Sequence, residues 1–202
     1  MRQLIAMIVL CVLQASLAPA QTPSPTTPPT SALERNFAPG GKITLRLPAG
    51  DYTIRSGSND KIHLQWETKK PEQLQAVKVE ATVQGAEASI RIRAPKRSDF
   101  RAIIELPART DLDVRLNAGD LNIRGVEGKK DVECHAGDIT IDVGSATDYS
   151  RVDASARAGD IEAPPFGASK GGLFRSFRWE GKGKHVLHVH VGAGSITLLG
   201  TK

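Results

Sequence analysis

From Gly40 onward, hydrophobic and polar residues alternate. Ile43, Leu45 and Leu47 alternate with Lys42, Thr44 and Arg46, and Ile62, Leu64 and Trp66 alternate with His63, Gln65 and Glu67. The same period of two runs through Val77, Val79, Ala81 and Val83, through Ile90 and Ile92, through Leu112, Val114 and Leu116, and through Leu187, Val189 and Val191. Successive side chains of a strand point to opposite faces, so each segment predicts a strand with one buried and one wet face. No segment of residues 21–202 carries the 3.6-residue apolar period over the length of a stable helix. The expected class is all-β.

A turn recurs between these strands. Ala118-Gly119-Asp120-Leu121-Asn122-Ile123 returns as Ala136-Gly137-Asp138-Ile139-Thr140-Ile141, as Ala158-Gly159-Asp160-Ile161-Glu162-Ala163 and as Ala193-Gly194-Ser195-Ile196-Thr197-Leu198, with an earlier relative at Ala49-Gly50-Asp51-Tyr52-Thr53-Ile54. The period is about twenty residues, and the wider gap before the last copy predicts an insertion of roughly fifteen. Glycine reverses the chain without a Cβ penalty, Asp accepts N–H bonds across the corner, and the next two apolar positions enter a core. Within one repeat, Leu121 and Ile123 form one strand, residues 125–128 a corner, and Val132 with Cys134 a second strand. Stacked repeats predict a parallel β-solenoid, a β-helix-like pile of AGD coils of about 20 residues, with the N-terminal strands packed on or extending it. The longer hairpin-like strands of residues 40–106 suit a β-sandwich, which is the alternative fold.

If the coils stack in register, Asp120, Asp138 and Asp160 form a column with neighbours about 5 Å apart. Water, turn hydrogen bonds or a cation such as calcium would relieve their repulsion. The single-glycine spacing is that of turn capping, and no metal or other cofactor is expected.

The chain opens with an address. Arg2, the apolar run of residues 4–13 and the small residues Ala18-Pro19-Ala20 follow the order of a secretory signal peptide, assigned to residues 1–20. About ten apolar residues reach roughly half a bilayer span, so a membrane anchor is disfavoured and no transmembrane helix is expected in the mature chain. Residues 21–35, with Pro23, Pro25, Pro28 and Pro29 among threonines and serines, read as a Pro/Thr-rich linker, leaving residues 36–202 as the β-strand-repeat domain. Cys11 leaves with the leader, so Cys134 has no intrachain partner and is expected as a small buried thiol.

Charge narrows the picture further. The formal net charge is +5, and 4% of residues are aromatic. Most of that charge collects in one segment, where Lys170, Arg175, Arg178, Lys182 and Lys184 face only Glu180. Phe166, Phe174, Phe177 and Trp179 lie in or beside it. Phe174, Arg175, Phe177, Arg178, Trp179, Lys182 and Lys184 are therefore the candidate contacts for a ligand or partner, with anionic glycans and headgroups as suitable chemistry. The competing role is a lid that closes the end of the solenoid. Nucleic acid is not expected, since no recognition motif is present.

His188 and His190 share the wet face of one strand, but two imidazoles do not make a metal site and the sequence places no third ligand. No HExxH motif or phosphate loop occurs. Paired carboxylates for a polysaccharide hydrolase or lyase would have to be drawn from turn residues such as Asp120 and Asp138, so a non-enzyme is expected.

The AGD repeats, the leader and the stretch Leu173-Phe174-Arg175-Ser176-Phe177-Arg178-Trp179-Glu180-Gly181-Lys182-Gly183-Lys184 running towards Val191-Gly192-Ala193-Gly194-Ser195-Ile196-Thr197-Leu198 resemble the DUF4097 family of bacterial β-strand-repeat, adhesin-like proteins. That resemblance implies a β-solenoid or prism on the outer side of the cytoplasmic membrane and supplies no catalytic residue. Ser195 departs from its aspartate. The expectation is thus an exported, non-catalytic envelope protein of the periplasm or cell surface, with an adhesin-like binding or structural role and envelope polysaccharide or envelope protein as partner. Its alternatives are an envelope-stress regulatory partner and a polysaccharide-active enzyme.

Overall fold

Alternation becomes strands throughout the part of the chain that the computed structural model describes, residues 30–57 and 60–200. The strands are β1 (Thr30–Asn36), β2 (Lys42–Leu47), β3 (Asp51–Gly57), β4 (Lys61–Glu67), β5 (Lys78–Gln84), β6 (Glu87–Arg93), β7 (Arg101–Pro107), β8 (Asp111–Ala118) and β9 (Leu121–Arg124). They continue as β10 (Lys130–Ala136), β11 (Ile139–Gly144), β12 (Tyr149–Ala158), β13 (Ile161–Ala163), β14 (Ala168–Lys170), β15 (Leu173–Glu180), β16 (His185–Ala193) and β17 (Ile196–Gly200). One short helix, α1 (Pro71–Gln75), links β4 to β5. The leader assigned to residues 1–20 lies outside the described residues.

The protein is all-β, with two extended sheets of mixed parallel and antiparallel strands. Their orders are β1-β4-β7-β3-β9-β11-β17-β13-β14 and β15-β12-β16-β10-β8-β2-β6-β5. The pairs β2–β3, β6–β7, β8–β9, β10–β11, β12–β13 and β16–β17 each give one strand to each sheet, and within each sheet these strands run parallel. The register aligns like with like. Val132 and Cys134 lie opposite Val114 and Leu116 on one side and opposite Val189 and Val191 on the other. All six are buried and form a dry column down the interior.

Antiparallel strands close both ends of the parallel stack. β5 pairs with β6 and β4 with β7 at one end, while β15 pairs with β12 and β14 with β13 at the other. Unpaired parallel edges invite association with other chains, and these strands cover them.

Two features are not visible from the local pattern. The pairs do not stack in chain order: β6–β7 lies outside β2–β3, and β16–β17 is inserted between β10–β11 and β12–β13. The chain reaches that inner slot by a turn pressed against the start of β12. Gly181, Gly183 and Lys184 donate to the carbonyls of Ser150, Tyr149 and Asp148 at 2.9, 3.0 and 3.0 Å. Any Cβ at Gly183 would overlap the Asp148 backbone, so glycine is required there. Second, residues 30–35 of the segment read as a linker are in a strand. Thr30–Arg35 belong to β1, because the exposed backbone of β4 takes a partner strand and Leu33 packs opposite Leu64.

Candidate functional site

The AGD corners are backbone ladders. Gly119 N donates to Ala136 O at 2.9 Å, Gly137 N to Ala193 O at 2.8 Å and Gly194 N to Ala158 O at 2.9 Å. The φ angles of Gly119, Gly137, Gly194 and Gly159 are +108°, +132°, +133° and +137°. A Cβ at any of these four would overlap the carbonyl of the glycine at the neighbouring corner. Glycine is thus fixed twice over, by φ and by the close approach of neighbouring corners.

The expected aspartate column is interrupted. Because β17 sits between β11 and β13, Ser195 lies between Asp138 and Asp160. The Asp138 carboxylate accepts the Ser195 N–H at 2.8 Å. The departure at Ser195 removes one of the repulsive neighbours, and the remaining carboxylate serves as a cap.

The outer face of the sheet containing β8, β10, β16 and β12 holds a cluster that sequence spacing did not reveal. Parallel register sets Asp131 opposite His188 and Glu133 opposite His190. Ligating atoms of Asp131, Glu133 and His188 lie within 4.8 Å of one another. A cation already engages the two carboxylates. Arg115 reaches Asp131 at 3.0 Å, Glu133 at 3.1 Å and Asp113 at 3.2 Å. His190 meets the Ser155 hydroxyl at 2.8 Å. Next to them Asp153 binds Arg178 at 2.7 Å and also Arg151. Partial burial pushes the Asp153 carboxyl up, but these two guanidiniums hold it below the usual carboxylate range. The cluster is a set of charge-matched ladders, and the pairing across strands that builds it is non-local.

Lys130 was also missed. It occupies an inward position between Leu112 and Leu187 and is 1% exposed. Its ammonium donates to Tyr149 Oη at 3.1 Å and Gly128 O at 3.3 Å, and it lies 5.6 Å from the Tyr149 ring centre. Burial pushes it down to about 8, against the pull of Asp111, Asp142 and Glu127. Extending the Val132–Cys134 alternation back by two residues would have flagged it. Cys134 is buried, and burial pushes its thiol above the ordinary value.

The basic-aromatic segment is divided by the fold. Phe177 and Trp179 turn inward, with ring centres 6.3 and 5.0 Å from that of the buried Phe166. Both are partly buried against the core at this end of the sheets. Arg178 is spent on Asp153. Lys182 and Lys184 belong to the crossover turn beyond the far end of β15. Phe174 and Arg175 remain exposed at its beginning, beside Leu173, which sequence reasoning had not selected.

A cleft of about 380 Å³ crosses the outer face of the other sheet, lined by Thr53, Gln65, Arg101, Ile103 and Asn122 among others. Among the described residues no helix is long and apolar enough to cross a membrane.

No protein-family model matches the chain, that of DUF4097 included, and no curated protein matches it. Solved structures do. A "putative cell adhesion protein" from Clostridium sporogenes aligns over 87% of this chain and 100% of its own, with a TM-score of 0.59 at 14% identity. A "putative adhesin" from Bacteroides fragilis aligns over 85% and 97% with a TM-score of 0.29 at 10% identity. Another from Parabacteroides merdae aligns over 86% and 96% with a TM-score of 0.28 at 13% identity. The first likeness establishes a shared fold; the scores of the other two are too low to add to it.

Proposed function

We propose that this chain is an exported, non-catalytic β-repeat protein of the bacterial cell envelope, with an adhesin-like binding or structural role. In this reading, residues 1–20 direct export, the segment after them is a spacer, and the strands from β1 onward form a capped parallel β-solenoid of AGD coils. The observation that carries it is the use made of the carboxylates on the outer face of the sheet containing β8, β10, β16 and β12, and at the Asp138 corner. Asp113, Asp131, Glu133 and Asp153 are held by arginines and Asp138 by a backbone N–H. Glycosidic chemistry requires a carboxyl pair with one member kept protonated, and arginine pairing keeps carboxylates ionised. Such faces suit recognition. The shared fold with the Clostridium sporogenes protein supports the same reading.

The candidate contacts in this proposal are Phe174 and Arg175 at the start of β15 and, separately, Lys182 and Lys184 beyond its end, with Phe177 and Trp179 as scaffold. Cross-linking of the exported chain to intact envelopes tests it. Capture that falls when Phe174, Arg175, Lys182 and Lys184 are replaced by alanine is expected. Turnover of an envelope polysaccharide, or equal capture by the folded variant, would count against it.

A further inference from the structure

We propose that the turn joining β14 to β15 is an interfacial anchor that inserts into an anionic lipid surface. Leu173 and Phe174 are 65% and 78% exposed, the two most exposed large hydrophobic residues among those described. They are adjacent at the end of the stack, next to the Gly171-Gly172 turn. Elsewhere the same strand packs Phe177 and Trp179 partly against the core, so this pair is not there for lack of a core to meet.

The backbone holds Phe174 out. Its φ is +51°, a region that bulky side chains rarely enter and that costs conformational energy. The Gly159–Gly172 pair of N–H···O bonds, at 3.0 and 3.2 Å, and the bond from Arg175 Nε to Gly171 O at 2.7 Å fix the turn in this shape. Strain maintained at an exposed phenylalanine points to a use for that side chain outside the fold.

Cations surround the pair. Arg175 follows it and Lys170 precedes the turn. The β12–β15 register brings Arg157 opposite Phe174, between the Ala156–Arg175 and Ala158–Leu173 pairs. Lys170 spends its ammonium only on the Ser176 carbonyl and Arg175 on that of Gly171. Asp160, beside Gly171, offsets part of this charge. An apolar tip within a cationic rim fits a bilayer interface, where buried apolar area and attraction to anionic headgroups add together. A polysaccharide would satisfy the cations but leave Leu173 and Phe174 wet. The inference rests on the envelope reading, which puts such a surface within reach.

Co-sedimentation with mixed phosphatidylglycerol–phosphatidylcholine vesicles and with pure phosphatidylcholine vesicles tests it. Binding to the mixed vesicles that weakens with salt is expected. Phe174→Gly should reduce it roughly tenfold or more through the lost apolar side chain, while keeping the melting temperature because glycine accepts the positive φ. Arg157→Gln with Lys170→Gln should remove the preference for phosphatidylglycerol. Absence of binding to either vesicle, or unchanged binding by Phe174→Gly, would overturn the anchor. Retention on purified envelope polysaccharide without vesicle binding would uphold the envelope reading and overturn this inference alone.

Discussion

The Gly137 backbone lies against the carbonyl of Gly119, so closely that a Cβ at position 137 would overlap that oxygen. Gly194 stands in the same relation to Gly137, and Gly159 to Gly194. The repeated corner is therefore a close-approach device as much as a turn.

Gly137→Ala should destabilise the fold by about 3 kcal/mol or more, since it combines a backbone clash with a φ of +132°. Gly85→Ala is the comparison, with a φ of +60° and nothing within 4 Å of the new Cβ. It should cost about 1 kcal/mol, from the backbone alone. Urea unfolding midpoints separate the two, and equal losses would show that close approach is not what selects glycine.

Lys130 should leave a signature in the pH dependence of stability. Its folded-state pKa of about 8 lies below the ordinary 10.5. Between these values the unfolded chain holds the extra proton, so stability rises with pH across that window, while below about 8 the full cost of the buried ammonium stands. Lys130→Met should stabilise the protein at neutral pH by about 1–2 kcal/mol, the lost bond to Tyr149 offsetting part of the gain. The difference between wild type and variant, measured from pH 7 to about 10.5, should shrink as pH rises.

The aromatics of residues 173–180 should split in mutagenesis. Trp179→Ala removes packing against Phe166 and should cost about 2 kcal/mol. Phe174→Ala, at an exposed position, should change stability by less than about 0.5 kcal/mol. Chemical denaturation of both variants provides the check.

Calcium should not raise the melting temperature, because Ser195 interrupts the aspartate column and Asp138 is committed to its N–H. A rise of several degrees that chelator reverses would mean a native-state site. Arg115→Ala, by contrast, frees Asp131 and Glu133 beside His188. That variant should gain zinc binding, detectable by titration calorimetry, and lose it again with His188→Ala.

Strand faces were legible in the sequence because alternation is local: Ile43, Leu45, Leu112, Val114, Leu187 and Val189 are all buried as their parity required. The Gly119 and Gly137 corners were legible for the same reason. Stacking order was not. Strands β10, β12 and β16 carry similar alternation, and nothing local says that β16 slips between the other two. The meeting of Asp131 with His188 and the break at Ser195 both depend on that order.

The most direct test of the envelope-binding account is the sedimentation of the labelled, exported chain with isolated envelopes, alongside an assay for released sugar ends. Saturable binding without sugar release is the predicted result. Absence of binding, or binding accompanied by steady release, would contradict it.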